Sequence, residues 1–218
     1  MFCWILLVTL LAPILGAIIC VDNCNGVDQV GCGINICCNS ISYALRNLSP
    51  GYTLQLEPGI YSGELNTNLH INIQNIKINS SRGPDETIIS LALGINSNFI
   101  SSITVPNFKL EGITMSGATN YVIAINATAQ YVEVSNCRFG NSSVFIDVGD
   151  FLPGCLGIYH NSSGSLVVSD TTFHNITFKT FSQICSLRGI AVVTQGNLAM
   201  ANCVFSSIIS GEETFNGD

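Results

Sequence analysis

At 218 residues, with a formal net charge of −7 and only 10% charged side chains, the chain has the size of one domain. Its polarity comes from Gly, Asn, Ser and Thr rather than from ions. Its seven lysines and arginines are scattered from Arg46 to Arg188, which excludes the clustered basic surface that nucleic acid requires.

Residues 1–20 read as an export signal. An apolar run from Phe2 to Leu11 is followed by Pro13, Gly16 and Ala17, and no charged side chain precedes Asp22. Cleavage after Ala17 or after Cys20 satisfies the small-residue requirement. An uncleaved anchor is the competing reading, since about 20 apolar residues span a bilayer, but Pro13 and Gly16 interrupt the run. No second span follows. Six N-glycosylation sequons, at Asn47, Asn79, Asn126, Asn141, Asn161 and Asn175, agree with export. A secreted or cell-surface glycoprotein is therefore expected, although a chain this rich in Asn, Ser and Thr also forms sequons by chance.

Residues 21–40 form a cysteine-rich N-terminal cap, in which Cys24, Cys32, Cys37 and Cys38 crowd a Gly- and Asn-rich stretch. Their spacing fits no paired C-x-x-C zinc pattern, and exported chains favour disulfides, so bridges are expected and no metal. Were cleavage to remove Cys20 together with Cys3, eight of the ten cysteines would remain, a number compatible with full pairing.

One short helix is expected over Ile41 to Leu48, and internal repetition dominates the rest. Residues Gly157 to Phe173 align without gaps on Gly189 to Phe205, an offset of 32. The second half of that unit recurs upstream as Val132 to Phe139 and, more loosely, as Phe108 to Met115. Units with several short strands and no helix cannot bury an apolar face alone, whereas stacking them in register can. The fold class that follows is all-β, a parallel β-helix with coils about 4.8 Å apart.

The alignment predicts an inward column of Phe139, Phe173 and Phe205. It also predicts a polar column of Asn136, Asp170 and Asn202 at a turn, where Asn and Asp tolerate left-handed backbone. Cys137 and Cys203 share a column with Thr171 between them. They are then about 9.6 Å apart, beyond the roughly 7 Å limit for a disulfide. Cys155 and Cys185, in loops before equivalent glycines of adjacent coils, are the expected bridge.

The run Ile41-Ser-Tyr-Ala-Leu-Arg-Asn-Leu-Ser-Pro-Gly-Tyr-Thr-Leu-Gln-Leu-Glu-Pro-Gly-Ile-Tyr-Ser-Gly63 resembles the opening of pectin-lyase-like right-handed parallel β-helix proteins, which implies a right-handed single-stranded parallel β-helix here. In these a short capping helix leads into Gly-x-Thr-Leu-x-Leu-x-Pro-Gly-x-Tyr, the places held here by Gly51, Thr53, Leu54, Leu56, Pro58, Gly59 and Tyr61. The later coils, with Arg188-Gly-Ile-Ala-Val and Gly196 to Phe205, resemble the repeats of polymorphic outer-membrane and adhesin-type β-helices. Arg188 stands where those repeats have their first glycine. Residues 41–218 are thus assigned to the β-helix, expected to be incomplete at its C-terminus because no closing cap is evident before Asp218.

Pectin-cleaving lyases of this fold use calcium-holding carboxylates and a basic residue. The nearest candidates are Asp147 and Asp150, with Asp170 a coil away and Arg188 or Lys179 as base, but nothing in the sequence fixes them on one face. The aspartate and histidine signatures of the hydrolases, and the Gln and Asp motifs of the pectin esterases, are missing. His70, His160 and His174 read as surface or loop histidines. Glu57, Glu64, Glu111 and Glu133 read as a solvated face, because Glu133 aligns with Val167 and Ala199 and forms no carboxylate column. No catalytic residue and no cofactor are assigned. The expected function is a non-enzymatic module for adhesion or carbohydrate binding, with polysaccharides or cell-surface glycans as partners and no nucleic acid. A polysaccharide lyase or glycoside hydrolase is the alternative.

Overall fold

In this computed structural model the described residues are 16–91, 98–118, 122–125, 128–146, 157–180 and 191–212. Strand β1 (Ile18–Val21) comes first, then helix α1 (Ile41–Leu45), then a succession of coils. The first coil is β2 (Thr53–Leu56), β3 (Gly59–Tyr61) and β4 (Leu69–Ile71). The second is β5 (Ile76–Ser80), β6 (Thr87–Ser90) and β7 (Ile100–Ile103), and the third β8 (Asn107–Glu111), β9 (Thr114–Ser116) and β10 (Ile123–Ile125). The fourth is β11 (Tyr131–Ser135), β12 (Arg138–Ile146) and β13 (Ile158–His160), and the fifth β14 (Ser165–Ser169), β15 (Thr172–Thr180) and β16 (Val192–Thr194). The last is β17 (Asn197–Ala201) and β18 (Val204–Glu212).

Equivalent strands of successive coils pair in parallel and build three sheets, ordered β1-β2-β5-β8-β11-β14-β17, β3-β6-β9-β12-β15-β18 and β4-β7-β10-β13-β16. We call them the first, second and third sheets. This is a parallel β-helix. In the first sheet strand register is held while loop length varies: Tyr131 is opposite Asn107 on one side and Ser165 on the other, 24 and 34 residues away.

Alternation with period two decides what is buried. In the first sheet Leu54, Leu56, Ile78, Phe108, Leu110, Val132, Val134, Leu166 and Val168 all point inward and are buried. In the second sheet the inward column runs Tyr61, Ile89, Met115, Phe139, Phe173, Phe205. The Phe139 and Phe173 rings stack at 4.9 Å and the Phe173 and Phe205 rings at 5.0 Å, as the repeat alignment predicts. Each ring fills the space over its neighbour, so the column is continuous close packing rather than a set of separate pockets.

The polar column also stands where it is expected. Asn136, Asp170 and Asn202 have φ of 49°, 50° and 53°, and Asn202 Nδ2 donates to Asp170 Oδ1 at 3.0 Å. Gly112, at φ 72°, holds the same turn one coil earlier. A second left-handed column, not foreseen, comprises Asn141, Asn175 and Ser207 at φ 50°, 48° and 52°. There the long strands of the second sheet skip one residue between paired runs, and Asn175 Nδ2 donates to Asn141 Oδ1 at 3.2 Å.

Helix α1 is shorter than the expected Ile41 to Leu48. Ser40 caps its start, with Oγ accepting from Tyr43 N at 3.4 Å, and Asp28 in turn accepts from the Ser40 amide and hydroxyl. Ser49 precedes Pro50, which disfavours helical backbone there, and Gly51 turns with φ 86°.

The cap corrects one expectation, the pairing of Cys24. Its bridges are Cys20–Cys37 and Cys32–Cys38, with Cα atoms 4.7 and 5.0 Å apart. Cys20, the last residue of the expected signal segment 1–20, lies on β1 within the first sheet and is a bridge partner. Cys24, a disulfide candidate, carries a free exposed thiol. It sits in a turn nucleated by Asp22, whose Oδ1 accepts from the Cys24 and Asn25 amides, and this turn holds it apart from the bridged pairs. Cys137 and Cys203 are both free, as their spacing requires, and burial pushes the Cys137 thiol up to about 12. The expected Cys155–Cys185 bridge lies outside the described residues.

Candidate functional site

The outer face of the first sheet gathers most of the charge placed on regular strands. Pairing sets Lys77 opposite Lys109, and Lys109 opposite Glu133. Two lysines on adjacent strands would repel. Each instead meets a glutamate: Lys77 pairs diagonally with Glu111, and Lys109 Nζ lies 2.7 Å from Glu133 Oε2. Tyr131 Oη donates to the same Glu133 oxygen at 3.0 Å. At the start of the sheet Glu57 accepts from Gln55 Nε2 at 3.1 Å and from Ser81 Oγ at 2.8 Å.

These contacts fix the protonation states. The hydrogen bond from Lys109 holds the Glu133 carboxyl below its usual range, and the same bond holds the Lys109 ammonium above its own. Partial burial, followed by its bond to Glu133, raises the Tyr131 phenol. At neutral pH the cluster is therefore a cation, an anion and a neutral phenol. Such a cluster suits recognition better than proton transfer, which needs a group poised near the working pH.

Beyond Tyr131 the same face changes character. Its next strand presents Ser165, Val167 and Ser169, and the one after that Asn197, Ala199 and Ala201. All six are short and uncharged. Tyr131 thus stands at the border between a charged ridge and a low terrace, directly opposite Asn107 and Ser165. The sequence reading placed Glu133 correctly against Val167 and Ala199, but did not trace the column back to Lys109 and Lys77.

Of the residues weighed for lyase catalysis, only Asp170 has a described side chain. Asp147, Asp150 and Arg188 lie outside the described residues, as does the side chain of Lys179. Asp170 accepts from Asn202 in the turn column. Among the described residues no group of three or more His, Cys, Asp or Glu could hold a metal ion.

The histidines differ from one another. His70 is exposed, and its Nδ1 lies 2.7 Å from Ser102 Oγ and 3.3 Å from Ser101 Oγ. That is half of a nucleophile arrangement, and among the described residues no carboxylate orients the ring. His160 corrects the expectation of a surface position, because it points inward from the third sheet and is fully buried. Its Nδ1 lies 2.8 Å from Thr194 Oγ1, and burial lowers its pKa. His174 is half-buried, its ring lying over Gly140, where a Cβ would come within 2.2 Å of it.

Of the sequon asparagines, Asn141, Asn161 and Asn175 are exposed. Asn47 and Asn79 are half-buried, their amide nitrogens donating to Cys32 O and Ser80 O at 3.3 Å each. Asn79 shares the outer face of the first sheet, opposite Glu111. Asn126 lies outside the described residues. No helix among the described residues is long and apolar enough to cross a membrane.

No family model matches this sequence, and no curated protein matches it. Among solved structures it is similar to a mutant pectin methylesterase in complex with a hexasaccharide, at 12% sequence identity and a TM-score of 0.41. The match covers 86% of this chain and 66% of that one, just under two thirds of its length. A likeness this distant says nothing of activity here, and the fold assignment rests on the three parallel sheets themselves. The resemblance of the later coils to adhesin-type repeats gains no support from these comparisons.

Proposed function

We propose that the chain is an extracellular or cell-surface β-helix module that binds carbohydrate on the outer face of its first sheet without turning it over. The observation that carries this reading is the placement of Tyr131. Its hydroxyl is anchored to Glu133, while its ring borders a terrace of small polar and apolar residues on the next two strands. A fixed aromatic ring offers broad amphipathic contact at low entropic cost, and Asn107, Ser165 and Asn197 add hydrogen-bonding groups in the same column. A flat array with strand-spaced polar groups suits a repetitive polymer. The carboxylates of the face are engaged by lysine, glutamine or serine partners, which supports binding over acid–base chemistry.

The test is a polysaccharide array probed with the purified glycoprotein and with Tyr131→Ala, alongside an ultraviolet assay for unsaturated products in the presence of calcium. Binding by the parent chain, at least tenfold weaker for Y131A, with no product is the expected result. Calcium-dependent product would overturn the non-enzymatic reading. Equal binding by the two chains would remove the site from this face.

A further inference from the structure

We infer that the export leader is removed at the Gly16–Ala17 pair, so that the mature chain begins at Ala17 or Ile18, and that cleavage after Cys20 does not occur. The inference rests on the export reading above and adds the position of the cut. From the sequence alone, Ala17 and Cys20 are equivalent small-residue sites. In the structure they are not equivalent, because Ile18–Val21 is a working strand.

Three observations agree. First, β1 pairs along its whole length with β2, from Ile18 opposite Thr53 to Val21 opposite Leu56. Removing Ile18, Ile19 and Cys20 would bare the edge of β2, and unpaired strand edges invite association. Second, Cys20 ties the strand to the cap by three routes. It is bridged to Cys37, its N–H donates to Gly33 O at 2.8 Å, and its carbonyl accepts from Cys38 N at 3.0 Å. A chain beginning at Val21 would lose all three and leave the Cys37 thiol free.

Third, Ile19 is 1% exposed, and the cap is moulded over it. A Cβ on Gly33 would come within 2.5 Å of Ile19 Cγ2, and Gly33 holds φ at +103°. A loop shaped to Ile19 presupposes that Ile19 is present in the folded protein. Upstream of the strand the chain is held by packing and a single hydrogen bond rather than by strand pairing: Gly16 lies against the Gly51 carbonyl, where a Cβ would come within 1.6 Å of the oxygen. Ala17 contributes one hydrogen bond, its carbonyl accepting from Thr53 N at 3.0 Å. The peptide bonds on either side of Ala17 therefore include the last small-residue site that leaves the first sheet whole.

The assignment changes the cysteine count. With Cys20 retained and Cys3 removed, nine of the ten cysteines remain, an odd number, so at least one is outside any intrachain bridge. The free thiols of Cys24, Cys137 and Cys203 fit that parity.

The full chain should be expressed in a secreting eukaryotic cell line and the product in the medium digested without reduction and analysed by mass spectrometry. The expected result is an N-terminal peptide beginning at Ala17 or Ile18 and linked through Cys20 to the peptide containing Cys37. A secreted product beginning at Val21 or later overturns the inference and leaves the export reading standing. A product that keeps Met1 and stays with the cells overturns both.

Discussion

The first and last described parts of the solenoid are built from the same residue types and differ in exposure. At the N-terminal end Ile19 and Val21 of β1 are sealed from solvent at 1% and 0% exposure, beneath a loop closed by two disulfides. In the last coil Leu198 and Met200, which continue the equivalent inward columns, are 39% and 38% exposed, and Phe205 is 50% exposed. The residue types are alike, so the difference lies in what covers them. A coil of a β-helix has no private core; each buries its apolar face only against its neighbours, and a terminal coil depends on a cover of another kind.

The comparison is broken or sharpened first by truncating one column at two levels. Phe173→Ala, between two stacked rings, should cost about 3–5 kcal/mol. Phe205→Ala, half exposed in the last coil, should cost about 1 kcal/mol or less, because most of the transfer and cavity terms are absent. Chemical denaturation of both variants checks this, and equal losses would show that the last coil is covered in solution.

The cap gives the next effect. Cys20→Ser opens a loop of sequence separation 17 and should cost about 3 kcal/mol by the chain-entropy relation. Cys24→Ser, at a free exposed thiol, should leave the unfolding midpoint unchanged. A matching loss in C24S would mean that the pairing in the cap differs from the one described.

The smallest effect belongs to the charged face between the two ends. Lys109→Ala should cost under about 1 kcal/mol, and less in high salt. Its pH dependence has a definite sign. Glu133, held low, stabilises the fold above about pH 4.3, the ordinary range of an unfolded glutamate. That contribution is lost as pH falls through the folded value. Lys109, held high, stabilises below about pH 10.4 and loses its contribution as pH rises through its folded value. Parent and K109A should therefore differ most between those limits and converge outside them, which thermal melts across pH would show.

The repeats made much of this architecture readable in advance. Phe139, Phe173 and Phe205 could be aligned because the later coils have nearly constant length, and the same register gave the Asn136 column and forbade a Cys137–Cys203 bridge. What escaped did so for identifiable reasons. Strand β1 is apolar and directly follows an apolar run, so Ile18–Val21 reads as the tail of that run, and its pairing with β2 went unforeseen. His160 sits at an inward position that the pattern marks only by its neighbour Ile158, two residues earlier on the strand. The lysine–glutamate ridge was implicit in the looser alignment of Phe108 to Met115 on Val132 to Phe139, which sets Lys109 opposite Glu133, but the column was followed only for carboxylates and so stopped short of Lys109 and Lys77.

The fixed register between coils of unequal length has a consequence for how such a molecule can change. Residues added to or taken from the connections leave the strand spacing untouched, because hydrogen bonds between neighbouring strands set it. The solenoid is thus a ruler whose graduations are set by the backbone and whose margins are free. Duplication of a whole coil would lengthen it by one graduation of about 4.8 Å and carry every outward column forward unchanged, so the length of the outer face can be altered without redesigning the columns that compose it.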